Sequence, residues 1–258
     1  MKDKNLTTAG QSWRQPDAPL NVWQVVEGQQ KLEDGTTRPI KFSIQEVPEN
    51  RHEEAVDFMM KYFVDDEPMS KYLNFKNDSD AKDSLRITWN YCLQQGIVEA
   101  AYVLDSNSGI SELAAVNMLY VANDKTEKEM GELRTKYKSE NFKKILDEME
   151  KLSKKADVRK VYGVDEYIGA VGLSVSHKYR GQKLGLHMLE ARHDIGKKYG
   201  IPATSTVFTA RSSQVLAERA GYQTKSIQKY LDILDQHGKL FFAGIEAEDM
   251  RVMIKKLY

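Results

Sequence analysis

Residues 171–185 (Val-Gly-Leu-Ser-Val-Ser-His-Lys-Tyr-Arg-Gly-Gln-Lys-Leu-Gly) constrain the fold more than any other stretch of the chain. An apolar run ends at Val175, a short polar turn follows, and Arg180-Gly181 leads into a long amphipathic segment. Strand, glycine-containing turn and helix N-terminus together present backbone N–H groups to an anion such as a pyrophosphate. A glycine in the turn lets backbone approach a ligand without a side-chain clash. Arg180 and Lys183 add positive charge where the helix dipole already favours an anion. Taken alone, the two glycines fit a plain strand-to-helix turn equally well. The stretch has no Gly-Lys-Ser/Thr ending and no complete dinucleotide fingerprint, so it is neither a Walker loop nor a Rossmann turn.

A chain of 258 residues fits one large domain, or one domain with sizeable insertions. Lys+Arg and Asp+Glu both number 38, which argues against a general nucleic-acid binder. The only cysteine, Cys92, excludes an intramolecular disulfide and any multi-cysteine metal site, and it packs as a small apolar side chain. His187 and His193 are six apart and share no helix face, so no metal is expected. No apolar run is long enough to span a bilayer and no apolar segment follows Met1–Asn5, so the expectation is a cytoplasmic protein without membrane contact.

Residues 1–20 read as a loosely held arm pinned at Trp13. Strands are expected at Asn21–Val26 and Pro39–Val47, with Glu33-Asp34-Gly35 as a turn between them. A helix is expected from Glu53 to Tyr62, broken by Pro68, and another over Ala81–Gln95 that stops at Gly96. Ile97–Leu104 and Leu113–Val121 read as a hairpin around Asp105–Gly109. Residues 123–160 are rich in lysine and glutamate and helical in period, with Phe142, Ile145, Leu146, Met149 and Leu152 on one face. The rest reads as strand Tyr167–Val175, helix Leu184–Tyr199 ending at Gly200, and strand Ala203–Thr209. A helix capped by Ser212 or Ser213 then runs to Ala220, followed by strand Gln223–Leu234 and a last strand at Leu240–Ile245 or Met250–Leu257. The fold class is α/β with one mixed sheet.

Arg180-Gly181-Gln182-Lys183-Leu184-Gly185 resembles the Gln/Arg-x-x-Gly-x-Gly/Ala signature of the GNAT superfamily of acetyl-CoA-dependent N-acyltransferases. Arg180 and Gly185 match, while Lys183 stands where the middle glycine usually sits. Further blocks resemble the insect arylalkylamine N-acetyltransferases of the dopamine N-acetyltransferase type. They are Phe63–Leu73 around Asp66-Glu67-Pro68, Phe142–Leu146, Leu173–Val175, Tyr179–Gly181 and Gly221-Tyr222, in the family's order from about residue 42 to about 250. The resemblance implies the GNAT acyl-CoA N-acyltransferase fold, a splayed and mostly antiparallel sheet flanked by helices. It divides the chain into an N-terminal arm, 1–38, and an acetyltransferase domain, 39–258, with a helical insertion near 123–160 that reads as a lid over a small-amine pocket.

The resemblance also assigns roles. The glutamate of Asp-Glu-Pro is the family's catalytic base, which makes Glu67 the base here; from residues alone it reads more readily as part of a surface acidic loop. A carboxylate can take the proton of an ammonium substrate if burial brings its pKa toward the working pH. The family's two serines fall on Thr209 and Ser213, whose hydroxyls would protonate the leaving thiolate or bond the cofactor. Each also has a bland reading, β propensity for Thr209 and a helix cap for Ser213, and Tyr222 is an alternative acid. The Leu173-Ser174-Val175 backbone would pair with the pantetheine arm and polarise the thioester, and Arg180, Gly181, Gln182, Lys183, Leu184 and Gly185 would hold the pyrophosphate, with Ser213 beside the cofactor. Acetyl-CoA is then the co-substrate and an arylalkylamine (dopamine, tyramine, octopamine or serotonin) the acceptor, in a monomer. Alternatives are agmatine, polyamines or other aliphatic amines, longer acyl-CoA donors, a protein substrate, and a module that binds acyl-CoA without turnover.

Overall fold

Among the described residues, eight strands hydrogen-bond into one sheet in the order β1-β2-β3-β4-β5-β6-β8-β7. They are β1 (Val22–Lys31), β2 (Thr37–Glu46), β3 (Glu99–Asp105), β4 (Gly109–Ala122), β5 (Tyr167–Val175), β6 (Ala203–Phe208), β7 (Gln223–Lys229) and β8 (Asp249–Lys256). The helices are α1 (His52–Asp66), α2 (Pro68–Tyr72), α3 (Ser79–Gln94), α4 (Asp124–Arg134), α5 (Glu140–Lys154), α6 (Val158–Tyr162), α7 (Leu184–Tyr199) and α8 (Arg211–Arg219). This computed structural model describes residues 12–15, 17–31, 34–105 and 109–258. Residues 1–11 and 16 of the N-terminal arm, residues 32 and 33 at the first expected turn, and 106–108 of the second lie outside the described residues.

Every neighbouring pair of strands is antiparallel except β5–β6. Side chains alternate between the two faces of a strand. On β3, Ala100 and Tyr102 therefore join the core under α1 and α3, while Ala101 joins the core under α7. The first core also holds Val56, Met59, Trp89, Val116, Met118, Val252 and Ile254. The α7 side holds Phe42, Ile44, Ala115 and Met188. Each such large side chain removed from water contributes about 1.5–3 kcal/mol, which fixes strand register because a one-residue slip would turn these residues out to solvent.

Strand β1 lies inside the segment read as an arm and pairs with β2 from Val22 to Lys31. Upstream of it, the Trp13 backbone N–H donates to Gln95 O at 2.9 Å. The lysine-rich stretch after β4 is helical in three pieces, separated by the caps Ser139 and Asp157. Its apolar stripe packs inward through Phe142, Ile145 and Leu152. Two local expectations are corrected. The cap of α8 is Ala210, with no side-chain cap, and Ser213 sits one turn inside, where its hydroxyl donates to Ala210 O at 2.8 Å. The strand expected over Gln223–Leu234 stops at Lys229, because Tyr230–Asp232 turns into a short 3-10 helix that buries Tyr230. The last strand is the second of the two alternatives, β8. Among the described residues no helix is long and apolar enough to cross a membrane.

Candidate active site

Strands β5 and β6 share one register pair, Ile168 with Thr204. Beyond it β6 pairs with β8 along its whole length, and β5 stays with β4. The sheet therefore opens between β5 and β6. A bulge in β5 helps turn it away. Asn117 faces Leu173 and Leu119 faces Ala170, so Val171 and Gly172 share one opposing residue, Met118. Gly172 adopts φ 112°, and a Cβ there would lie 2.8 Å from both Met59 Cε and Phe63 Cε2, so only glycine fits. Trp89 Nε1 donates to the displaced Val171 carbonyl at 2.8 Å, which leaves no buried acceptor without a partner there.

The bulge sets which backbone groups look into the opening. Ser176 N–H donates to Ala114 O on β4 at 2.9 Å. In an antiparallel ladder alternate residues bond to the same neighbour, so Ser174 also bonds toward β4. Leu173 and Val175 present their N–H and C=O groups to the opening. At its far end stands α7, whose first turn has no side-chain cap. The N–H groups of that turn form an anion-binding surface. Its cap residue, Lys183, has φ 58°, the left-handed region in which a glycine is usual. The lysine that departs from the expected signature thus holds a glycine's conformation.

The remaining residues of the turn are tied to neighbouring elements. Arg180 pairs with Asp66 at the end of α1, and Asp66 also faces His177 Nε2 at 3.5 Å. The Gln182 side-chain amide bonds the backbone of Gln29 on β1. Tyr179 is buried against Phe42 and donates to Glu112 Oε2 at 2.6 Å.

Glu67 lies at the junction of α1 and α2. It caps α2, with Pro68 as the first helical residue, where proline's fixed φ and missing N–H cost nothing. Its Oε1 accepts from Met69 N–H at 3.2 Å, and its Oε2 accepts from Ser70 N–H and Ser70 Oγ, each at 2.7 Å. The carboxylate is buried to 9 % exposure. Tyr230, fully buried, donates its hydroxyl to Thr209 O at 2.9 Å. Burial raises the Tyr230 phenol well above its ordinary pKa, and the negative charges of Glu67 and Asp249 raise it further. Tyr230 thus ties the segment after β7 to Thr209, and no sequence pattern singled it out. Thr209 and Ser213 are both half-buried, Thr209 between β6 and α8 and Ser213 in the first turn of α8. Tyr222 is buried on the α7 side, near Phe208, and donates to Leu189 O at 3.4 Å.

Aromatic rings line the α1–α2 side. Tyr62 stacks edge-on with His177 at 5.5 Å, Phe63 with Trp89 at 5.8 Å, and Phe242 with both Tyr72 and Tyr230 at 5.7 and 5.4 Å. The segment after β7 closes over α2, where Tyr72 donates to Ala243 O at 2.8 Å and Lys71 pairs with Glu246 at 3.1 Å.

Comparison with solved structures identifies this architecture. A putative arylalkylamine N-acetyltransferase 7 from the yellow fever mosquito Aedes aegypti is similar at 27 % identity and a TM-score of 0.80, over 95 % of this chain and 99 % of that one. Arylalkylamine N-acetyltransferase 2 from Aedes aegypti is similar at 23 % identity and 0.71, over 84 % of this chain and 99 % of that one. A Drosophila melanogaster polyamine N-acetyltransferase, described as forming N-acetylagmatine, shares the fold at 19 % identity and 0.67, over 83 % and 99 %. No protein-family model and no curated protein sequence matches the chain. The fold is the GNAT acetyltransferase fold, as the sequence led us to expect, and its structural neighbours are insect arylalkylamine N-acetyltransferases.

Proposed function

We propose, from its place among the GNAT-fold amine N-acetyltransferases, that this protein acetylates the primary amine of a small arylalkylamine with acetyl-CoA as donor. One observation carries the reading. The edge of β5 that faces the opening leads directly to the uncapped first turn of α7. An open strand edge suits an amide-bearing arm such as pantetheine, and an uncapped helix start suits a pyrophosphate.

Chemically, the ammonium of the acceptor must lose a proton before its nitrogen can attack. Glu67 accepts that proton, directly or through a water. The amine nitrogen then bonds to the acyl carbon while the carbon–sulfur bond breaks. The N–H groups of Leu173 and Val175 face the opening and stabilise the negative charge that develops on the acyl oxygen. A hydroxyl from Thr209 or Ser213 returns a proton to the sulfur. Acetyl-CoA supplies the activated acyl group.

The aromatic acceptor is favoured by the charge pattern around Glu67. A diamine or a guanidino amine is bound best where an unpaired second carboxylate meets its far cation. Asp65 is paired with Lys76, Asp66 with Arg180, Glu246 with Lys71, and Asp249 with Arg251. Aromatic rings, in contrast, are at hand in Tyr62, Phe63 and Tyr72. The test is release of free thiol from acetyl-CoA with dopamine, tyramine, serotonin, agmatine and spermidine. Turnover with the aryl amines is expected. Turnover confined to agmatine or spermidine overturns the acceptor, and CoA binding without turnover on any amine overturns the reaction.

A further inference from the structure

Arg192, in the middle of α7, is completely buried. It falls on the helix's apolar stripe between Met188 and Ile195. A helix packs on a sheet more cheaply with an apolar residue at such a position, since a buried charge must be desolvated. What the guanidinium touches explains its presence. Nη1 donates to Thr204 Oγ1 at 3.1 Å and to Thr206 Oγ1 at 2.8 Å, both on β6. Nη2 donates to Asn117 Oδ1 at 3.3 Å on β4. Asn117 passes the contact to β3 by donating to Glu99 Oε1 at 2.7 Å. Thr204 passes it to β5 by donating to Ile168 O at 2.7 Å.

Ile168 and Thr204 are the last pair that β5 and β6 share, and Asn117 faces Leu173 across the ladder. One side chain thus ties β6 to β4, the strand that carries β5, just past the point where β5 and β6 separate. Thr206 lies on β6 beyond that point, where the strand has no ladder bond to β5. We propose that Arg192 is a positioning residue: it fixes the width of the opening between β5 and β6, and so sets the affinity for the pantetheine arm of the acyl donor. This rests on the acyl-CoA reading given above. The planar fork of arginine reaches Thr204, Thr206 and Asn117 from one position, which the point charge of a lysine does not do.

Thr206→Val tests it. Valine keeps the shape of threonine without the hydroxyl, and Arg192 retains Thr204 and Asn117, so the fold is preserved. Two donors are compared, acetyl-CoA and S-acetylpantetheine, which lacks the nucleotide. A loosened opening raises KM for both donors by a similar factor of about three to ten, with kcat little changed. Equilibrium binding of CoA weakens in parallel, and Thr206→Ser, which restores the hydroxyl, returns both values. Arg192→Lys is expected to match Thr206→Val or exceed it. Unchanged KM for both donors overturns the proposal. So does a rise confined to acetyl-CoA, which locates the effect at the phosphate turn, or a fall in kcat and melting temperature alone, which makes the brace merely structural. Failure of the wild-type protein to bind CoA is a separate result and removes the acyl-CoA reading itself.

Discussion

The side-chain amide of Gln182 bonds the backbone of Gln29 twice: Gln29 N–H donates to Oε1 at 2.8 Å, and Nε2 donates to Gln29 O at 2.7 Å. Gln29 is opposite Pro39 in the β1–β2 ladder. Backbone groups of successive residues point to opposite edges of a strand, and those of Gln29 point away from β2, where the amide of Gln182 meets them as another strand would. Gly28 makes the approach feasible, since a Cβ there would sit 2.6 Å from Gln182 Oε1 and 2.8 Å from buried Phe42. The outermost strand thus holds the turn that opens α7.

Gln182→Ala is expected to release that turn. CoA binding, followed by titration calorimetry, should weaken by about three- to tenfold, the worth of one or two exposed hydrogen bonds. The melting temperature should move little, because the contact lies at the surface. Unchanged CoA affinity would mean that the turn holds its shape without β1.

Glu67 serves both as helix cap and as proposed base, and two substitutions separate these roles. Glu67→Gln keeps one oxygen that can accept from the Ser70 N–H but takes up no proton, so kcat/KM should fall by about 10²–10⁴ with only part of the cap lost. Glu67→Ala should lose the same activity and, in addition, about 1 kcal/mol of stability as the cap of α2 disappears. Steady-state rates and thermal melts on the two variants decide it. Near wild-type kcat/KM across pH in either one would sink the assignment.

Glu99 gives the stability a dependence on pH. Burial pushes its carboxyl from 4.5 up to about 8, against the opposing pull of the Arg192 guanidinium and the hydrogen bond from Asn117. Between those values the folded protein holds a proton that the unfolded chain has released. Its contribution to stability is therefore fully present below the unfolded value, declines as pH rises, and levels off above the folded one. The melting temperature of the wild type should fall from about pH 5 to about pH 8 more steeply than that of Glu99→Gln. Parallel curves would show that Glu99 is ionised throughout.

The regular parts of the fold were legible because their limits are chemical. Helix α7 ends where Gly200 takes a left-handed conformation, and β5 spans the residues of its apolar run. The separation of β5 from β6 was expected only through family resemblance. Its local cause, a two-residue bulge at Val171-Gly172, depends on Trp89 and Phe63, which are remote in sequence and give no periodic signal. Tyr230 was absorbed into an expected strand because its aromatic ring suits one. Arg192 did leave a trace, a charge on an otherwise apolar helical stripe. Glu67 stands out in the sequence by its Asp-Glu-Pro setting, but the tie between its neighbour Asp66 and Arg180 joins segments that no spacing rule connects.

The β4–β5 ladder closes with Ala122 beside Tyr167. A short hairpin turn would join those two ends, so residues 123–166 are an excursion that the sheet's connectivity does not require. Yet Tyr137, Phe142, Ile145 and Leu152 from that excursion belong to the main core, and Phe142 meets Phe75 from the α2–α3 connection. The consequence is a separation of evolutionary freedoms: the excursion's exposed turns can drift in length, and a volume change at Phe142 is passed to Phe75 and the α2–α3 connection, while strand register and the α7 turn stay as they are.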